Sequence, residues 1–353
     1  MKRNVLVTPL DWGIGHATRM IPVVHELISR GHQVSLASAG DAKILLEKEF
    51  PALPSYELPP YNPSYRSDNM IINMISQIAR FMKVIGKEHV RIEQLVDELK
   101  IDVVISDNRY GCWSEKATSI VVTHQLNILT PASLSWANSM INAYNRRLIS
   151  KFDHCWVPDF EDHQLSGRLS ESSHFNSVTF VGPLSRYGKK EQDVPAKYFT
   201  LVLLSGPEPQ RTYLEKDLVD QLNRLEQPCC IVRGLFRKDI PKPFSKHQII
   251  DFEGGEELRQ LIAQASVVIS RPGYSTIMDL ATLSKKAIFI PTPGQTEQEY
   301  LAEKFTDERV APSAKQRSVN LGELLQQVDR FGGFAKHEFD LKLLASAMKE
   351  VSL

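Results

Sequence analysis

Acidic and basic residues balance in this chain: 353 residues carry 42 Lys plus Arg and 42 Asp plus Glu. No overall field therefore draws it to nucleic acid. Cysteine is scarce. Cys112, Cys155, Cys229 and Cys230 lack metal-ligand spacing and the adjacent pair cannot readily bridge to itself, which argues against a disulfide framework and fits a reducing, cytoplasmic setting. No apolar run approaches the roughly 18 residues of a membrane span, and the one after Met1-Lys2-Arg3 stops at Asp11, too early for a secretion signal. Asp-x-Asp occurs nowhere, so no metal site built on paired carboxylates is expected, and no cofactor. Repeats of solenoid period and low-complexity tracts are absent too.

What is present is enough for two cores. Hydrophobic residues make up 42% and charged residues 24%, and the length exceeds what one core usually spans. Short apolar runs alternate with helical periodicity, which predicts α/β domains with parallel sheets. In the first half these runs are Val5–Leu10, Gln33–Ser38, Ile101–Ser106, Ile120–Thr123, Cys155–Val157 and Val178–Val181. A polar stretch, Ser185–Ala196, has linker character. A second series follows at Thr200–Leu204, Cys229–Val232, Gln248–Asp251, Val267–Ser270 and Ala287–Ile290. The expected organisation is a first domain over 1–183, a second over 184–333, and a helix in 334–353 that crosses back to the first, with a cleft between the domains. Ser67–Lys100 breaks the rhythm, mixing Met, Ile and Val with Arg80, Lys83, Lys87 and Arg91. Amphipathic helices packed on the first sheet are the plainer reading; an acceptor lid or membrane-surface patch is the sharper one.

The most informative segment lies late in the chain. The strand Val267–Ser270 runs into Arg271-Pro272-Gly273 and a helix opening at Tyr274 or Ser275. Its unpaired N–H groups offer a phosphate site, with Ser275 and Thr276 beside it. Asp279, one turn after Ser275, is placed to accept from ribose hydroxyls. A further apolar strand ends at Pro291, so the polar Gly294-Gln295-Thr296-Glu297-Gln298-Glu299 falls at the carboxyl edge of a parallel sheet, where ligands bind.

In the first domain the loop Gly13-Ile14-Gly15-His16 precedes a helix read over Thr18–Arg30. His16 is the candidate catalytic base, since imidazole titrates near neutrality and Gly15 permits close approach of a ligand. A structural His capping its own helix is the alternative. Asp107 and Asn108 end one strand, and His124 and Asn127 lie just beyond another. All four are acceptor-side candidates, with loop capping the competing explanation. Arg233, after a strand of the second domain, either neutralises diphosphate charge or pairs with a carboxylate.

In this order and spacing, Gly13-Ile14-Gly15-His16, His124-Gln125-Leu126-Asn127 and the Arg271-to-Gln298 clamp resemble the GT-B glycosyltransferases of family 28, over most of the chain. The resemblance implies two Rossmann-like domains facing across a cleft. It assigns the ribose carboxylate to Asp279, where Glu is usual, and the transferred sugar's hydroxyls to Glu297 and Gln298. It places Phe252 beside the base and Ser205-Gly206 at the diphosphate. Two departures stand out: Pro272 replaces a Ser of the phosphate turn, and Glu208 follows a loop with one glycine.

The implied activity is inverting, metal-independent transfer of a hexose, N-acetylglucosamine or a relative, from a UDP-sugar to a glycan, lipid-linked or small-molecule hydroxyl. A nucleotide-sugar hydrolase or epimerase on the same fold is the alternative. The expected place is the cytoplasm or the inner face of a membrane.

Overall fold

A computed structural model of the chain describes residues 2–63, 73, 76–175, 177–188, 195–235, 240–334 and 341–353. The chain divides into two compact units, Met1–Arg186 with Phe339–Leu353, and Tyr187–Glu338.

Unit 1 is built on β1 (Asn4–Pro9), α1 (Ile14–Ser29), β2 (Gln33–Ser38), α2 (Gly40–Glu49), β3 (Ser55–Glu57), α3 (Ile78–Leu99), β4 (Val103–Asp107), β5 (Thr118–Val122), α4 (Asn138–Ile149), β6 (His154–Val157) and β7 (Thr179–Phe180). Every strand pairing is parallel and the order is β3-β2-β1-β4-β5-β6-β7. Parallel strands covered on both faces read as unbroken apolar runs. Accordingly Val5, Leu6, Val7, Val103, Val104, Ile105, Ile120, Val121 and Val122 have no solvent exposure. Connections leave β1 toward β2 on one side while β4 lies on the other, which opens a crevice at the strands' carboxyl ends. Pro9 and Asp107 are the last paired residues there.

Unit 2 repeats the plan with five parallel strands. It comprises β8 (Tyr198–Leu203), α5 (Gln210–Leu222), β9 (Cys229–Val232), β10 (Gln248–Ile250), α6 (Gly255–Ala263), β11 (Ala265–Ser270), α7 (Tyr274–Thr282), β12 (Lys286–Phe289), α8 (Thr296–Asp307) and α9 (Leu321–Gln327). The order is β10-β9-β8-β11-β12, so the corresponding crevice lies between β8 and β11. One core joins Val202, Ile231, Ile269 and Ile288 of the sheet to Leu214 and Leu218 of α5 and Leu321 and Leu324 of α9. Asn320 caps α9, accepting from the Glu323 N–H and donating back to its carboxylate at 2.8 Å. The last helix, α10 (Lys342–Glu350), belongs to unit 1, where Arg30 donates to the Leu353 and Ala345 carbonyls at 2.9 and 3.1 Å.

Three elements differ from the reading of the sequence. β3 is a three-residue edge strand, Ser-Tyr-Glu, with no apolar run to announce it. α1 begins at Ile14 rather than Thr18, so Gly15 and His16 form its first turn instead of the loop before it; a first turn facing a crevice has no apolar stripe to betray it. α10 begins at Lys342, not Phe334. Parts of three expected segments, 67–72 with 74–75, 189–194 and 335–340, lie outside the described residues.

The turn after β4 packs hard on α3. A Cβ added to Gly111 would sit 2.3 Å from the Ile85 carbonyl oxygen and 2.7 Å from Glu88 Cβ, so backbone would have to move. Gly111→Ala should therefore cost about 1–3 kcal/mol, the usual penalty of overpacking, seen as a lowered urea midpoint. An unchanged midpoint would show that the turn can lift from α3 freely.

Candidate active site

His16, in the first turn of α1, faces the end of β4. Its side chain is 18% exposed, and Nδ1 lies 3.3 Å from Asp107 Oδ2, a carboxylate with no solvent access. Beside both stands Arg19, one helical turn after His16 on the same face. Arg19 Nε donates to Asp107 Oδ2 at 2.6 Å, and Nη2 donates to Oδ1, so the pair is bidentate. The same guanidinium approaches His16 Nδ1 at 2.9 Å and His124 Nδ1 at 3.2 Å. Burial pushes the Asp107 carboxyl up, but Arg19 and then His16 outweigh it and hold it below the usual carboxylate range. The sequence candidates His16, Asp107 and His124 thus converge on a residue that sequence reasoning missed. A signal existed: Arg19 lies on the buried stripe of α1, with Met20 and Val23 for neighbours.

A second charged cluster backs the first. Arg109 is fully buried and donates to the carboxylates of Glu88 at 2.6 Å and Asp11 at 2.7 Å, and to the Pro9 carbonyl at 2.9 Å. The Tyr61 hydroxyl donates to the other Glu88 oxygen at 2.9 Å, and the Tyr61 N–H to Asp11 at 3.0 Å. This network ties the loop after β1 to α3. Glu88 sits on α3's buried stripe with Val84 and Ile92; an acid in that position was the overlooked clue. Burial raises its carboxyl to about 7, against the pull of Arg109, Tyr61 and the Gly111 N–H.

The remaining unit 1 candidates have different surroundings. Asn108 adopts a left-handed backbone (φ 53), and its buried Oδ1 has no hydrogen-bond partner. Asn127 donates both amide hydrogens to backbone, to the Arg168 carbonyl at 3.1 Å and the Glu171 carbonyl at 2.7 Å. It fastens a loop, leaving only its amide oxygen for a ligand. On α3 Ile78 and Met82 are exposed, as are Trp136 just before α4 and Met140 on it, and the Tyr144 hydroxyl reaches Met82 Sδ at 2.9 Å.

In unit 2 the clamp candidates gather at the carboxyl ends of β8, β11 and β12. Ser205 and Gly206 (φ 101) follow β8 and are exposed; a Cβ on Gly206 would meet Thr292 Oγ1 at 3.5 Å. Glu208 turns away onto Arg211 at 2.5 Å and the Thr212 N–H at 3.2 Å, so its charge is absorbed locally. Arg271 is buried without a carboxylate. Its Nη1 donates to the Ile290 and Pro291 carbonyls at 2.8 and 2.9 Å, and its Nη2 to the Gln210 carbonyl at 3.2 Å and the Gln316 side chain. Nε has no partner, nor do the buried hydroxyls of Ser270 and Thr292. Burial alone lowers the Arg271 guanidinium to about 10.

Gly273 is the N-cap of α7 and makes no side-chain cap hydrogen bond, and Ser275 and Thr276 stand in the first turn that follows. Asp279 is buried one turn further along. Gln298 accepts from the Thr292 N–H at 2.8 Å and so shapes the loop that carries Gln295, Thr296 and Glu297 at the start of α8. Phe252 is half-buried after β10. Arg233 is a different matter. It donates to Glu215, to Asp251 at 2.8 Å, and to the Ile240 and Pro241 carbonyls at 2.9 and 3.0 Å. All five of its N–H groups are used, so none remains for a diphosphate.

The Glu88 environment has a measurable sign. An unfolded Glu ionises near 4.5 and this one near 7, so the stability it contributes is full below about 4.5 and lost as pH rises through 7. Relative to Glu88→Gln, the wild type should lose roughly 2–3 kcal/mol between pH 5 and pH 8, at ~1.4 kcal/mol for each pKa unit. Parallel stability curves for the two proteins would show that Arg109 keeps Glu88 ionised throughout.

Among the described residues no helix is long and apolar enough to cross a membrane, and no cluster of three or more His, Cys, Asp or Glu is placed to hold a metal. Residues 236–345 match the glycosyltransferase family 28 C-terminal domain. A protein of Methanosarcina mazei described as an uncharacterized glycosyltransferase is 22% identical over 309 residues, covering 81% of this chain and 79% of its own. Two solved structures share the fold. Acinetobacter baumannii MurG aligns with a TM-score of 0.54 at 16% identity, over 99% of this chain and 94% of its own. The spinosyn rhamnosyltransferase SpnG, complexed with thymidine diphosphate, aligns with a TM-score of 0.66 at 12% identity over 100% of both chains. The two parallel-sheet units share the GT-B fold of these structures, and residues 236–345 match the C-terminal domain of glycosyltransferase family 28.

Proposed function

We propose that the enzyme is an inverting, metal-independent glycosyltransferase that moves a hexose, N-acetylglucosamine or a close relative, from a UDP-sugar to an acceptor hydroxyl. The observation that carries this reading is the group of unsatisfied donors around Arg271. A buried cation without a carboxylate, beside two buried hydroxyls lacking partners, is costly unless an anion completes it. The start of α7 adds the positive end of a helix to the same strand ends. A diphosphate supplies what this region lacks, and the spinosyn relative holds thymidine diphosphate.

The remaining roles follow from placement. Asp279 accepts from the ribose, Phe252 lies beside the base, and Glu297 and Gln298 meet the sugar's hydroxyls. Gln298 has its oxygen on the Thr292 N–H, which leaves its amide nitrogen as the sugar-facing donor. Arg271, rather than Arg233, answers the charge of the leaving diphosphate. Charge supplied by a guanidinium and a helix start, together with the lack of Asp-x-Asp, supports chemistry without a metal.

Unit 1 supplies the base and the acceptor side. The acceptor oxygen attacks the anomeric carbon, the bond to the diphosphate oxygen breaks with its electron pair, and His16 Nε2 takes the acceptor proton. One such displacement inverts the anomeric centre. Asp107 lies behind the imidazole, on the Nδ1 side, and stabilises its charged form. Exposed Ile78, Met82, Trp136 and Met140 suit an acceptor with an apolar portion, or peripheral contact with a membrane.

Asp279→Ala should weaken UDP binding by about 1.5–3 kcal/mol, the worth of a charged hydrogen bond, and titration calorimetry measures it; unchanged affinity would remove Asp279 from the nucleotide. His16→Ala should lower kcat by roughly 10²–10⁴ with little change in donor affinity. Near-normal turnover combined with a lowered thermal midpoint would reduce His16 to a structural residue. Activity should also persist in EDTA, and a strict requirement for Mg²⁺ or Mn²⁺ would contradict the assignment of charge neutralisation to Arg271.

A further inference from the structure

Two imidazoles at the end of unit 1's sheet present the same nitrogen to the same guanidinium. Arg19 Nη2 lies 2.9 Å from His16 Nδ1, and Nη1 lies 3.2 Å from His124 Nδ1. A guanidinium is permanently protonated and accepts nothing. Both contacts are therefore attractive only when Nδ1 is the acceptor, which leaves the proton of each neutral ring on Nε2. Asp107 offers His16 the opposite arrangement, because Oδ2 could accept a hydrogen from the same Nδ1 at 3.3 Å. That contact is longer. Moreover, both Asp107 oxygens already accept from Arg19.

We infer that Arg19 is a positioning residue that sets the tautomer of both imidazoles, holding His16 and His124 as Nε2–H in the free enzyme and keeping Asp107 from drawing the His16 proton to Nδ1. The consequence for turnover rests on reading His16 as the base. A base acting through Nε2 must carry its proton on Nδ1, so the free enzyme is held in the wrong form for catalysis. The working form arises when Arg19 releases Nδ1 and Asp107 takes its place. The change is a net move of one proton from Nε2 to Nδ1 within the ring; nothing is oxidised or reduced and no co-reactant is consumed. His124 keeps its Nε2–H throughout and is a hydrogen-bond donor in both states. The charged and titratable groups facing His16 are Arg19 on α1 and Asp107 on β4, with His124 after β5 on the far side of the guanidinium.

Nuclear magnetic resonance of the whole chain with ¹⁵N-labelled histidine rings reads tautomers directly and needs no substrate. The two rings are assigned by signal loss in His16→Gln and His124→Gln. At about pH 8.5, well above the ordinary titration of imidazole, the wild type should show Nε2–H for both. Arg19→Met removes the donor, so His16 should move to Nδ1–H against Asp107, while Asp107→Asn should leave His16 as Nε2–H. In Arg19→Met the KM for the donor should be little changed. Nδ1–H on His16 in the wild type, or an unchanged tautomer in Arg19→Met, overturns the inference. If Arg19→Met does not fold, the wild type and Asp107→Asn still decide, because Nδ1–H in either is fatal to it. The base assignment fails separately: His16→Ala retaining its turnover would remove the catalytic role and leave the tautomer result standing.

Discussion

The bidentate pair of Arg19 and Asp107 is the constraint on which unit 1 depends. Asp107 is entirely enclosed and Arg19 nearly so, and taking two such charges out of water costs several kcal/mol each before their attraction repays it. A pair of this kind adds little net stability over well-packed apolar residues. What it does is forbid other arrangements, since shifting α1 along the sheet would strand a buried charge. The helix is thereby fixed against the end of β4, and the imidazole one turn before Arg19 is fixed with it.

The same rule orders the rest of the charged interior, and its one departure is informative. Arg109 has Glu88 and Asp11, and Arg233 has Glu215 and Asp251. Arg271 alone among the fully buried guanidiniums of the described residues has only carbonyls and an amide. An arginine whose charge is balanced inside the protein shapes the backbone, whereas one left unbalanced is a place for an anion from outside. On this criterion Arg233 and Arg271, which follow equivalent strands and look alike in the sequence, part company.

The architecture was legible because buried parallel strands write themselves as apolar runs: Gln33–Ser38 and Cys229–Val232 were read with the bounds they have in the structure. Gly273 and the opening of α7, read at Tyr274 or Ser275 and found at Tyr274, were legible for a related reason, a turn residue set between two strong periodicities. β3 was not, since three residues at a sheet edge carry no period. The start of α1 was hidden because its first turn meets polar groups rather than a core. Arg19 and Glu88 escaped for a subtler reason. Charged residues on an amphipathic helix are taken to face water, and only the phase of the stripe, Arg19 beside Met20 and Glu88 between Val84 and Ile92, shows otherwise. Pairing partners could not be read at all, because Asp107 and Arg19 are 88 positions apart and meet only through the order of the sheet.

The left-handed turn at Asn108 separates two neighbours with opposite destinations. Asp107 enters the cluster of imidazoles, and Arg109, two positions on, enters the carboxylate network behind it. One residue inserted or removed here would carry one of the two out of its cluster and leave buried partners without their counter-charge. Gly111 closes the same turn against α3 and leaves no slack to absorb the change. This short stretch is therefore a poor substrate for evolutionary tinkering. Divergence in what the enzyme accepts has to accumulate elsewhere on the rim, in loops whose length can drift without disturbing a buried charge.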